Sequence, residues 1–107
     1  MKYNVEYSDL SKDDLKDFPK TTQRIIRKLI DKVSQNPLPQ NEGGYGKPLG
    51  NKKGYNLTGL CKIKLLKLGI RVVYKIIRTD EIMKIIVIAA RADDEVYEIA
   101  ANRAGRE

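Results

Sequence analysis

One segment constrains the fold of this chain more than any other: Ile82-Met83-Lys84-Ile85-Ile86-Val87-Ile88-Ala89-Ala90, apolar at every position but Lys84. A short run rich in β-branched residues, bounded by polar turns, reads as a strand buried on both faces. Such a strand needs neighbours, and two upstream segments supply them. Tyr55–Leu66 contains Cys61-Lys62-Ile63-Lys64-Leu65, the period-two alternation of a half-buried strand. Ile70–Arg78 is a second β-rich run, and Thr79-Asp80-Glu81 supplies a tight turn into the apolar strand.

The rest of the chain fits around these strands. Lys2–Tyr7 alternates and predicts a first strand; Ser8 or Asp9 caps a short acidic helix through about Phe18. Pro19 breaks that helix and suits the start of the next. Between Thr21 and about Gln35, Ile25, Ile26, Leu29, Ile30 and Val33 recur at helical spacing. Arg24, Arg27, Lys28 and Lys32 lie opposite that stripe, a solvated face or a contact surface. Asn36–Gly54, with three prolines, five glycines and no periodicity, predicts a long loop. Asp93 to about Arg103 predicts a closing helix with acids in its first turn, where the helix dipole favours them. The expected fold is therefore α+β, one domain over residues 1–107. It has a small antiparallel sheet and helices on one sheet face: two N-terminal and a short C-terminal one.

Charge is unevenly placed. Residues 1–44 hold eight Lys and Arg against seven acids, whereas residues 47–91 hold eleven against two, Asp80 and Glu81. A basic surface confined to the sheet segment points to a polyanion, most often nucleic acid. The bland reading is a solubilising face, although such faces usually mix both signs. No apolar run approaches a membrane span, and the N-terminal residues do not look like a secretory signal. One cysteine and no histidine predict neither an internal disulfide nor a zinc site. The chain reads as cytoplasmic, with no metal and no cofactor. Cys61 alternates away from Lys62 and has no histidine partner, so a small core residue is expected there.

The hairpin around Lys67-Leu68-Gly69 poses a question. With an even-numbered turn, Lys64 lies directly across from Arg71, and like charges so placed weaken a sheet pair. With a three-residue turn and glycine in the left-handed position, the two point to opposite faces.

The order of elements, with "KPLG", "KIKL…GIRVVYKI" and "IVIAARADDEVYEIA", resembles the RelE/ParE superfamily of toxins from type II toxin–antitoxin pairs. The likeness is densest from Lys47 to Ala100 and is closest to the RelE branch, ribosome-dependent endoribonucleases that cut messenger RNA in the A site. The RelE pattern has two lysines one residue apart on a strand, matched by Lys62 and Lys64. It has an arginine after the hairpin glycine, matched by Arg71, an arginine beyond the last strand, matched by Arg91, and a tyrosine six residues on, matched by Tyr97. The resemblance implies an mRNA interferase needing no metal, with an acidic RelB-like antitoxin, the ribosome and mRNA as partners. It assigns Lys62 as general base and Lys64 and Arg71 as phosphate clamps. Arg91 would stabilise developing charge and donate to the leaving oxygen; Tyr97 would position a nucleotide. Without the family match, Tyr97 reads equally well as a helix residue packed on the core.

The residue chemistry fits independently. RNA is cut by its own 2′-hydroxyl attacking the adjacent phosphate, which needs a base, cations for the phosphorane and a proton donor. The chain offers lysine, arginine and tyrosine for this work, since its carboxylates lie mainly away from the basic segment. A like charge about 6 Å from an ammonium costs it roughly 2.8 kcal/mol at an effective dielectric of about 20. Cations crowded around Lys62 would therefore favour the neutral amine that a base requires. Lys47, Lys52, Lys53 and Lys75 are candidate RNA contacts or solvated side chains. The competing classes are a ParE-type toxin directed at DNA gyrase, a basic RNA-binding module without catalysis, and an inactive family member held by its antitoxin.

Overall fold

The computed structural model describes residues 2–52 and 54–104. Its elements run β1 (Asn4–Tyr7), α1 (Asp9–Lys16), α2 (Lys20–Ser34), β2 (Lys47–Lys52), β3 (Tyr55–Leu65), β4 (Ile70–Ile77), β5 (Ile82–Ala89) and α3 (Asp93–Ala104). Local chemistry sets the helix boundaries. The Ser8 hydroxyl accepts the Ser11 N–H to cap α1, and Pro19 stands at the N-cap of α2. No helix among the described residues is long and apolar enough to cross a membrane.

The five strands form one sheet in the order β1-β5-β4-β3-β2. Three expectations need correction. The sheet is mixed rather than antiparallel, because β1 runs parallel to β5 with Asn4 beside Ile82 and Tyr7 beside Ile85. The segment expected to be all loop contains the edge strand β2, antiparallel to β3. The helices do not share one sheet face. Ile26, Ile30 and Val33 of α2 and Leu15 of α1 pack on Cys61, Ile63, Val72, Tyr74 and Ile85. Val96, Tyr97 and Ala100 of α3 pack on Leu60, Val73, Ile86 and Val87 across the sheet. An apolar β5 demands this arrangement: its two faces each remove several large side chains from water only if each has a cover.

The hairpin question is settled by pairing. Leu65 lies beside Ile70 and Lys64 beside Arg71, so four residues, Leu66–Gly69, make the turn. Gly69 closes it in the left-handed region at φ 64°. The like charges do face each other.

The segment ahead of β2 is fixed from within. The Tyr74 hydroxyl, buried in the sheet, donates to the Pro37 carbonyl at 2.6 Å. Gly46 passes so close that a Cβ there would lie 2.2 Å from that hydroxyl oxygen. This approach seats Tyr45 and Lys47 beside the end of β3.

The four-residue β1 leaves the second half of β5 with an open edge. An ion pair closes it. Arg103 of α3 donates to Asp14 of α1 at 2.6 and 3.1 Å. The Asp14 carboxylate also accepts the Ile88 N–H at 3.0 Å, and Arg103 donates to the Ile86 carbonyl at 2.9 Å. Two side chains thus take the place of the missing strand, satisfying backbone groups that would otherwise invite pairing with another chain. Replacing Asp14 by Ala should cost roughly 2 to 4 kcal/mol, because it strands both the guanidinium and an amide. Urea denaturation of the two proteins measures it, and a loss under 0.5 kcal/mol would mean the edge is satisfied in some other way.

Candidate active site

Alternation along β3 sends Cys61 and Ile63 toward α2 and Lys62 and Lys64 toward α3. Lys62 is 3% exposed, an ammonium placed where charge is costly unless paired. Its partners come from α3. Lys62 Nζ donates to Tyr97 Oη at 2.7 Å and to Asp93 Oδ1 at 3.4 Å. Tyr97 is itself buried among the residues joining α3 to the sheet, so its ring belongs to the core while its hydroxyl belongs to the cluster.

Asp93 is the hub. Its Oδ2 lies 3.5 Å from Lys64 Nζ, and its Oδ1 accepts from Arg71 Nε as well as from Lys62. Arg71 also donates from Nη1 to the Arg91 carbonyl, fixing the connection between β5 and α3. The side chains of Lys62, Lys64, Arg71 and Tyr97 thus converge, all on the α3 face of the sheet. The expectation that carboxylates lie mainly away from the basic segment is corrected here. One carboxylate sits among three cations, so the neighbourhood of Lys62 is not purely positive. Partial burial by itself works to raise the Asp93 carboxyl; the Arg71 hydrogen bond and the charges of Lys62 and Arg71 outweigh it, holding the group below its usual range. Sequence alone assigns Asp93 only to the helix dipole. The available signal was its place in the first turn of a helix that begins just past the end of β5.

Arg91 is not brought into the cluster by its side chain. Nη1 pairs with Glu95 Oε2 at 3.2 Å across one exposed helical turn. It faces a groove that also holds Asp14, Asp17 and Phe18. Among the candidate RNA contacts, Lys47 is exposed and lies directly beside Lys62 in the β2–β3 register. Lys52 is half-buried at the far end of β2, and Lys75 is exposed four residues along β4 from Arg71, about 13 Å by strand rise. Lys53 lies outside the described residues. A concavity of about 350 Å³ adjoins the cluster, lined by Lys32, Val33, Tyr45, Lys47, Lys62 and Lys64 among others. Lys32 Nζ stands 5.9 Å from the Tyr45 ring centre, so one cation of the α2 outer face does belong to this basin.

Cys61 is buried on the other face, and burial pushes its thiol up to about 11. It is a core residue. Among the described residues, no three His, Cys, Asp or Glu side chains gather as metal ligands would. What the cluster can do is hold a tetrahedral anion with two or three cations at once, in contact with a buried amine and a phenol.

Comparison with known proteins adds the family. The model of the ParE toxin of type II toxin–antitoxin systems matches residues 5–95. The chain belongs to this toxin family, within the RelE/ParE superfamily. Solved structures of the superfamily share its fold. A double mutant of the E. coli toxin RelE in the free state superposes with a TM-score of 0.73 at 19% identity, covering 99% of this chain and 98% of that one. The RelBE2 toxin–antitoxin complex of Mycobacterium tuberculosis gives 0.68 at 21% identity, with 85% and 100% covered. The RelE–RelB complex of Pyrococcus horikoshii gives 0.61 at 21% identity, with 87% and 99% covered. No curated protein sequence matches the chain.

Because Asp93 is depressed in this type II toxin, its ionised form stabilises the fold. That contribution is fully present above the unfolded aspartate value near pH 4 and is lost as pH falls through the lower folded value. The stability difference between the native chain and Asp93→Asn should therefore be flat from about pH 5 to 7 and shrink on further acidification. Thermal melts across that range read it directly; a difference that grows in acid would contradict the assignment.

Proposed function

We propose that this toxin is a ribosome-dependent endoribonuclease that cleaves messenger RNA by 2′-hydroxyl attack on the adjacent phosphate. The observation that carries the reading is the meeting of Lys62, Lys64, Arg71 and Tyr97 around one carboxylate, an anion already held where a phosphate would sit. The likeness to RelE structures supports it at the level of fold.

In this reading Lys64 and Arg71 bind the non-bridging oxygens, the guanidinium offering two parallel donors. Lys62 takes the 2′-hydroxyl proton once its ammonium has released one of its own, with Tyr97 Oη fixing the position of Nζ. The bond from phosphorus to the 5′-oxygen then breaks, leaving a 2′,3′-cyclic phosphate and a 5′-hydroxyl. Arg91 must leave Glu95 to donate to the departing oxygen. An exposed pair at helical spacing is worth only about 0.3 to 0.5 kcal/mol, so substrate binding readily meets that cost. The concavity with Tyr45, Lys32 and Lys47 accepts the neighbouring nucleotide.

An acidic antitoxin completes the reading. RelE relatives occur in complexes with RelB, and this chain offers a suitable surface. Leu66 at 82% exposure, with Leu68 and Ile25, forms an apolar patch beside Lys64 and Lys67. An amphipathic segment with acidic residues along one side satisfies both features.

A second reading keeps the toxin and drops the nuclease. The matching family model is that of ParE, and Arg91 points away from the cluster. A gyrase-directed toxin would need none of the cleavage chemistry.

Single-turnover cleavage on programmed ribosomes separates the two. Lys62→Ala and Arg71→Ala should each lower the cleavage rate by about 10²- to 10³-fold, and the double variant should lose little more, because the groups act as a unit. Cys61→Ser should retain substantial activity. Growth arrest by the Lys62→Ala, Arg71→Ala chain with no new mRNA ends would favour the gyrase-directed reading. Products with a 5′-phosphate would show that water, not the 2′-hydroxyl, is the nucleophile.

A further inference from the structure

The Asp93 carboxylate is held by the same cations that a phosphate would need. Lys62 at 3.4 Å, Lys64 at 3.5 Å and Arg71 in direct hydrogen-bond contact leave those donors engaged before any substrate arrives. Two further facts decide what this means. Lys62 is 3% exposed and cannot rehydrate, so as an ammonium it must always have an anion beside it. The Asp93 side chain is 35% exposed at the rim, in the first turn of α3, and can turn outward by a change of rotamer with the helix intact. The buried cation is fixed; the anion is free to leave.

We propose that Asp93 is a built-in stand-in for the substrate phosphate, which occupies the phosphate position in the empty site and is displaced when RNA binds. It is thus a specificity-setting residue that discriminates against weakly bound anions. Phosphate wins the exchange by offering several oxygens to three donors where Asp93 offers two. A lone inorganic anion gains only the difference between itself and Asp93. An RNA strand adds contacts along the basin lined by Lys32, Tyr45 and Lys47, which offset the cost of expelling the carboxylate. Asp93 therefore helps the empty protein fold and hinders it from binding phosphate.

That opposition of sign is the test, and it rests on the phosphate-site reading above. The probe is a messenger-like oligonucleotide with 2′-deoxy sugars, which lacks the nucleophile and cannot be cleaved. Asp93→Asn should melt at a lower temperature than the native chain without ligand, yet bind the oligonucleotide about tenfold more tightly by fluorescence anisotropy. Added inorganic phosphate should also raise its melting temperature more than that of the native chain. A purely structural role for Asp93 predicts weaker or equal binding by the destabilised variant, and either result overturns the proposal.

If Asp93→Asn does not fold, the native chain still decides. The Asp93 carboxyl carbon, followed by NMR, should move toward the position of a solvated aspartate as the oligonucleotide is titrated in. An unmoved signal at saturation means Asp93 stays put, and the proposal fails. Lys64→Ala and Arg71→Ala separate this failure from that of the functional reading. If neither weakens oligonucleotide binding, the cluster is no phosphate site and both fall. If both weaken it while Asp93→Asn does not tighten it, only the stand-in falls.

Discussion

A buried ammonium is the constraint around which this toxin is arranged. Lys62 sits in the middle of β3 with α3 over it, where an unpaired charge would cost several kcal/mol. The fold answers with two partners from one helix, Tyr97 and Asp93, one turn apart. Placing α3 on the sheet face opposite α1 and α2 is what delivers them. The same helix supplies the cover that β5 requires, so packing and charge compensation are achieved by one element. Arg71 strengthens the arrangement from β4 by gripping both Asp93 and the carbonyl of Arg91.

The cationic face is therefore tolerated because Asp93 offsets part of its charge locally. Lys64 and Arg71 do stand opposite each other in the register, as an even-numbered turn requires. Their repulsion is relieved in the free protein by Asp93 rather than left for a ligand to relieve. An exposed cluster of three cations would attract any polyanion; one with its own carboxylate is more selective.

Much of this was legible in the residues, and the misses have physical causes. The apolar run in β5 and the alternation in β3 are local patterns, and both strands stand close to where those patterns place them. The strand β2 was hidden because it buries one large side chain, Leu49, and carries Pro48 and Gly50. Proline is tolerated there only because β2 is an edge. The parallel pairing of β1 with β5 joins residues nearly eighty positions apart, which no local period encodes. Four of the five family-matched positions, Lys62, Lys64, Arg71 and Tyr97, come together in space. Arg91 is drawn aside by Glu95, an interaction visible in the sequence only as a helical spacing. Asp93 escaped because its role depends on where α3 docks, and three acids in a helix's first turn already have an ordinary explanation.

The pairing of Asp14 with Arg103 has a consequence for the order in which the molecule matures. Its two halves are 89 residues apart, and both lie on the edge of β5. As the chain is made from its N-terminus, β1 and α1 have no sheet to join until β5 emerges. The β3–β4–β5 meander, by contrast, can pair as it appears, since its turns are short. Tyr97 and Asp93 arrive later still. Lys62 therefore waits 35 residues of synthesis for Tyr97, and the site is assembled only when α3 closes over it. The clasp that seals the sheet edge and the cluster that confers the proposed activity are set by the same late docking event, so a ribosome that stalls before α3 releases a chain with neither.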